Sequence, residues 1–178
     1  MTNLITNKTY LKNKCEGVSN PGVVLQTLKD NFDKERYLGL SAIQIGINAR
    51  VSVVWDSKNE TWIDIIDWKI VDKKDKFLSY EACLSLPGAV YLVPRYRNIT
   101  TEDLDGNKTD WYYGEDGKRT LDCNNVMIAI QQEIDHYNGI ILDDIAVKTM
   151  TIKEFMKPKR NDLCNCGTGK KFKKCCGK

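Results

Sequence analysis

Histidine is almost missing from this chain: His136 is the only one among 178 residues. A metal centre here can therefore draw on one imidazole at most, which excludes sites built on two or three histidines. Long apolar runs are missing as well. No stretch approaches the roughly 18 consecutive apolar residues of a membrane-spanning helix. The opening MTNLITNKTYLKNKCEG also has no apolar centre of the kind a secretory signal carries. A cytosolic location is expected, in which cysteines stay mostly reduced. Internal repeats are absent, so solenoids and propellers are excluded.

What remains is enough for one ordinary domain and a small appendage, since 42% of the residues are apolar. The net charge of +3 conceals an uneven distribution. Residues 1–145 carry 17 Lys and Arg against 22 Asp and Glu, whereas residues 146–178 carry 10 against 2. The basic end suits a polyanion. Four of the seven cysteines, Cys164, Cys166, Cys175 and Cys176, fall in the last 15 residues. In a reducing compartment such crowding points to a metal site rather than to disulfides.

Periodicity and turn chemistry outline an α+β chain. Val24, Leu28 and Phe32 recur at helical spacing behind Pro21, which predicts a helix over about 21–36. Strands are expected near 50–55, 62–71, 77–82, 89–93, 97–104 and 108–113, with Asp105-Gly106 as a hairpin turn. Turn residues at 114–117 precede a second helix over about 122–138, with Asp122 as N-cap and Gly139 as its stop. Residues 1–148 are expected to form the main unit, 149–159 a basic linker and 160–178 a separate tail.

Three short motifs carry chemistry. On the second helix, Gln132, Glu133 and His136 share a face, and residues i and i+4 can point at one atom. A glutamate beside a metal-bound water can move its proton, and a histidine can hold the ion. Glu81-Ala82-Cys83-Leu84-Ser85 places a thiol, a strong ligand for zinc or ferrous iron, between a strand and a turn. Gly39-Leu40-Ser41-Ala42-Ile43-Gln44 lets a backbone approach a substrate, and Gln44 can donate an N–H to a developing oxyanion.

Taken in order, G-L-S-A-x-Q, E-A-C-L-S and Q-Q-E-x-D-H-x-x-G resemble the three motifs of the peptide deformylase family. Val93-Pro94-Arg95 and Asp103-x-Asp105-Gly106 extend the likeness to residues 1–148. The resemblance implies short antiparallel sheets around a central helix. It also implies a ferrous ion, replaceable by zinc, nickel or cobalt, on Cys83, His136 and the position of Gln132. Glu133 would be the general base, with Gln44 and the Leu84 N–H stabilising the oxyanion. The substrate would be an N-formylmethionyl nascent peptide, which loses formate. Main-chain contacts are expected from Leu38 and Ala82, close approach of the substrate backbone at Gly39, a methionine pocket from Leu40, Ile128 and Ala129, and a downstream peptide contact from Arg95.

The sequence departs from the family pattern at Tyr37, Ser41 and Ala82, which add bulk or polarity near the substrate path. Gln132 differs in kind, because it stands where the family has a ligand histidine. An amide oxygen binds borderline metals weakly, so the ion's affinity should fall. Three accounts fit Gln132: an exchange of ligand, a disabled enzyme, or a non-catalytic homologue that binds nascent chains or ribosomes. The tail, from Arg160 to Lys178, resembles the SEC-C zinc motif, with Cys164, Cys166, Cys175 and Cys176 around one zinc ion. That motif is associated with the ribosome and with export chaperones, and Lys170, Lys171, Lys173 and Lys174 would present positive charge to either.

Overall fold

The fold is taken from a computed structural model that describes residues 3–113, 121–164, 166 and 168–178, the side chains of 121–125 excepted. The turn expected at 114–117 and the capping side chain of Asp122 lie outside the described residues. Two antiparallel sheets flank one long helix. The first sheet has the order β1-β2-β3, from Gly39–Ser41, Val51–Asp56 and Thr61–Ile66. The second joins β4 (Lys69–Glu81), β5 (Ala89–Glu102) and β6 (Lys108–Tyr112), with β7 (Lys148–Thr151) also paired to β5. The long helix between them, α3, spans Leu121–Tyr137, with the one-turn helices α1 (Lys8–Leu11) and α4 (Leu142–Ile145) earlier and later in the chain.

β2 is buried on both faces, and this links the two cores. Val51 and Val53 pack with Leu28 of α2 (Pro21–Asp30), while Val54 joins Ile65, Val93 and the α3 residues Ile130 and Ile134. The apolar stripe of α3 reads from Val126 through Ile130 and Ile134 to Tyr137, all buried. Gly139 ends that helical segment at φ +76°, a left-handed conformation that glycine adopts without steric cost.

The structure corrects several expected boundaries. α2 stops at Asp30 rather than near 36, because the Asn31 side chain turns back to donate to the Thr27 carbonyl at 2.9 Å. Phe32 then leaves the helical line to meet Trp62 edge-on at 4.9 Å. The strand expected over 62–71 breaks between Ile66 and Lys69, where Asp67 turns the chain at φ 52° and β3 ends before β4 begins. The two runs at 89–93 and 97–104 are one 14-residue strand despite Pro94. Gln131 of α3 bonds both the N–H and the carbonyl of Tyr96 at 3.1 Å, on the edge of β5 left open between β7 and β6. Alternate residues point to the same edge, so the missing N–H of Pro94 faces that gap as well.

Residues expected to be a linker are folded. β7 pairs with Ala89–Leu92, and α5 (Ile152–Met156) follows directly, capped by Thr151 and Glu154. Phe155 of α5 meets the Tyr80 ring at 5.1 Å on the outer face of the sheet. Asp162 and Leu163 continue onto the same face, where the Tyr80 hydroxyl lies 3.4 Å from the Leu163 carbonyl.

Candidate active site

Three segments meet in a cleft of about 110 Å³. The first is β1 with the short 3-10 turn Ala42–Ile45 behind it. The Ser41 N–H donates to Gln44 Oε1 at 2.8 Å, which fixes the amide with its nitrogen toward the second segment. There Gln44 Nε2 lies 3.5 Å from Cys83 Sγ and 3.2 Å from Ser85 Oγ. Cys83 sits in the tight turn after β4, closed by the Leu86 N–H on the Cys83 carbonyl at 2.9 Å. The third segment is α3, which contributes Gln132, Glu133 and His136 to the cleft.

Gly39 makes this packing possible. A Cβ there would fall 2.5 Å from Glu133 Oε1, so only glycine lets the carboxyl lie against β1. The Leu38 carbonyl accepts from the Trp55 N–H at 2.9 Å, which makes those two residues a hydrogen-bonded pair. By the alternation of an antiparallel ladder, the peptide groups of Gly39, and not those of Leu38 as expected, then face the open edge of β1.

Burial governs the ionisation of the site. It pushes the Cys83 thiol up to about 12, with the nearby Glu133 carboxyl as the second cause. Burial also raises Glu133 well above the usual carboxylate range, and Asp135 adds to the effect. His136 is lowered to about 4, again by burial first and by Arg95 second. Each of these shifts favours the uncharged form of its group. The atoms nevertheless fit a cation. Cys83 Sγ and His136 Nε2 are 3.4 Å apart, close to the roughly 3.5 Å edge that zinc–sulfur and zinc–nitrogen bonds span in a tetrahedron. Glu133 Oε2 is buried with no hydrogen-bond partner among the described residues, so it is free to accept from a water at the cleft; Gln132 Nε2 and His136 Nδ1 are also unpartnered, but the first is a donor and the second is not the ring nitrogen that faces Cys83.

Not every expected residue reaches the cleft. Leu38, Gly39, Leu40, Gln44, Ala82, Cys83, Leu84, Gln132, Glu133 and His136 all line it. Ile128 and Ala129 do not, and Ala129 packs into the core instead. The downstream contact expected of Arg95 is corrected outright. Arg95 is 3% exposed and turns its guanidinium inward to Glu81 and Asp135, so burial withdraws it from a bound peptide. Sequence reasoning missed Leu4 and Arg36, which also line the cleft. The N-terminal segment arrives through the Ile5 N–H on the Gln44 carbonyl at 2.8 Å, a contact no local pattern announces.

A second cluster of ligand-type side chains, spaced as one ion would need, lies in the tail. The sulfurs of Cys164, Cys166, Cys175 and Cys176 fall within 4.8 Å of one another. The Thr168 hydroxyl, 3.4 Å from Cys166, is the main cause that lowers that thiol to about 6. A cavity of about 240 Å³ lies where Tyr80, β7, α5 and Leu163 meet, and neither Cys83 nor His136 lines it.

A thiol, an imidazole, an amide and a buried carboxyl around one cleft define the kind of site at which a divalent cation assists amide hydrolysis. The comparisons name the family. The polypeptide deformylase profile matches residues 4–150, so the chain belongs to that family, and the SEC-C motif matches residues 160–178. A peptide deformylase of Thermodesulfovibrio yellowstonii is 35% identical over 75% of this chain and 81% of its own length. One from Halothermothrix orenii is 29% identical over 78% of this chain and 88% of its own. The solved peptide deformylase of Thermotoga maritima shares the fold at a TM-score of 0.63 and 20% identity, covering 81% of this chain and 95% of its own. That of Plasmodium falciparum gives 0.63 at 24%, with 82% and 86% covered. The family is metal-dependent and acts on formyl-methionine nascent peptides. Among the described residues no helix is long and apolar enough to cross a membrane.

Proposed function

We infer that this chain removes the N-formyl group from formylmethionine at the start of nascent polypeptides, with a divalent ion held by Cys83, His136 and the Gln132 amide oxygen. The observation that carries this reading is the 3.4 Å approach of Cys83 Sγ to His136 Nε2, with the Gln44 amide and the Glu133 carboxyl beside it. Such an ion, ferrous iron or else zinc, nickel or cobalt, supplies Lewis acidity that brings the pKa of water close to neutral.

The residues of the chain do the rest. Gly39 presents its peptide groups to the substrate main chain as an added strand would, with Ala82 on the opposite wall. Glu133 takes a proton from the attacking water and returns it to the departing amine. The Gln44 amide and the Leu84 N–H, which has no partner among the described residues, donate to the oxyanion of the formyl group; losing one such donor costs on the order of 10²–10³ in rate. Leu38 and Leu84, 48% and 39% exposed, offer apolar flanks at the mouth. The reading as a non-catalytic adaptor is not favoured, because Gln44, Cys83, Glu133 and His136 all stand at one cleft.

The test is formate release from a formyl-Met tripeptide by protein loaded anaerobically with Fe²⁺ or with Ni²⁺. Release that disappears in Glu133→Ala supports the reading. No release from either the parent or Gln132→His, both carrying metal, would falsify it.

The cysteine tail holds zinc in this account and presents Lys170, Lys171, Lys173 and Lys174 to the ribosome or to an export chaperone. Deleting residues 160–178 should reduce co-sedimentation with ribosomes at moderate salt; unchanged co-sedimentation sinks the ribosome tether.

A further inference from the structure

Glu81 ends β4 two residues before Cys83, and Asp135 immediately precedes His136 on α3. The Arg95 guanidinium, on the core face of β5, bridges the two. Its Nε and Nη2 donate to the two oxygens of Glu81 at 2.8 and 2.9 Å, and its Nη1 donates to Asp135. One planar group thus ties the strand that leads to the thiol to the helix that carries the imidazole. We propose that Arg95 is a positioning residue for the metal pair, setting the separation of Cys83 Sγ and His136 Nε2 through Glu81 and Asp135. The inference rests on the reading of that pair as metal ligands.

Stability alone does not account for such a triad. Arg95 and Glu81 side chains are each 4% exposed, and withdrawing two charges from water costs several kcal/mol per ion. Apolar residues of similar volume commonly serve a core equally well. What they cannot supply is direction: a two-point bond between guanidinium and carboxylate fixes angle as well as distance.

The helix supports the same view. Gln131 and Asp135, one turn apart, fasten α3 to β5 through Tyr96 and Arg95. Gln132 and His136, the next pair round the helix, are thereby held toward the cleft. Outer partners that orient ligands typically govern about 10–100-fold in metal affinity.

Asp135→Asn tests the proposal with little risk to folding, since that side chain is 23% exposed and the Arg95–Glu81 pair stays intact. Metal-free protein is titrated with Co²⁺, and the thiolate-to-cobalt absorption that Cys83→Ser abolishes is assigned to this site rather than to the tail. Asp135→Asn should bind Co²⁺ at this site about 10–100-fold more weakly and lower kcat with KM unchanged. Arg95→Lys, which keeps the charge and loses the two-point bond, should do the same. Parent-like Co²⁺ affinity in Asp135→Asn overturns the proposal while leaving the metal reading standing. If Cys83→Ser removes no part of the parent's signal, the metal reading falls first and takes the proposal with it.

Discussion

At the scale of single residues the site depends on space and on burial. Gly39 yields the room that Glu133 occupies, so Gly39→Ala should force the carboxyl aside. Deformylation by that variant should drop on the order of 10²-fold, the cost of misplacing a reacting group by about 1 Å, with KM little changed. Steady-state kinetics on a formyl tripeptide checks both. Burial raises the Glu133 carboxyl, and the sign of its effect on stability follows. A raised pKa contributes stability that is fully present below the unfolded value and is lost as pH rises through the folded one. Metal-free Glu133→Gln should therefore gain on the parent as pH rises from about 4.5 upward, measured by urea melts at pH 5 and pH 8. A constant difference between the two proteins would contradict the assignment. The three segments that line the cleft were legible because each motif is short and contiguous. The role of Arg95 was not, since its partners lie 14 and 40 residues away.

At the scale of elements, α3 is the axis around which the two sheets and the cleft are arranged. Its buried apolar stripe matched the expected periodicity because it packs on a core along that whole length. β4 was harder to read. Its middle carries Lys73, Lys74, Asp75 and Lys76, all exposed, so the apolar alternation that marks a strand is absent there. The continuity of β5 through Pro94 depends on Gln131, a side chain that stands in for a missing strand partner. Gln131→Leu leaves the Tyr96 N–H and carbonyl without that partner. Unfolding free energy should fall by about 1–3 kcal/mol in denaturant titrations. A change within experimental error would show that solvent reaches the gap.

At the scale of the whole molecule, the tail is docked rather than loosely strung. The stretch expected to be a linker forms β7 and α5 against the sheet, and Leu163 reaches Tyr80 one residue before Glu81. Sequence composition suggested a linker because the segment is rich in lysine; the capping of α5 by Thr151 and Glu154 is what composition does not reveal. The cleft around Cys83 and the four cysteines of the tail are separate in space and in chemistry. A Cys83→Ser protein should keep about one zinc ion per chain, whereas Cys175→Ser/Cys176→Ser should lose it, because a closed structural site takes four ligands. Metal analysis after dialysis against a weak chelator reads both variants.

The central claim is that one amide stands in the place of an imidazole within an otherwise complete deformylase centre. Formate release by ferrous-loaded Gln132→His, measured beside the parent at equal metal occupancy and at subsaturating metal, tests it most directly. The account predicts at least a tenfold gain from histidine when metal is limiting, as expected when a weak ligand is replaced by a strong one. Equal rates for the two proteins at every metal concentration would contradict it.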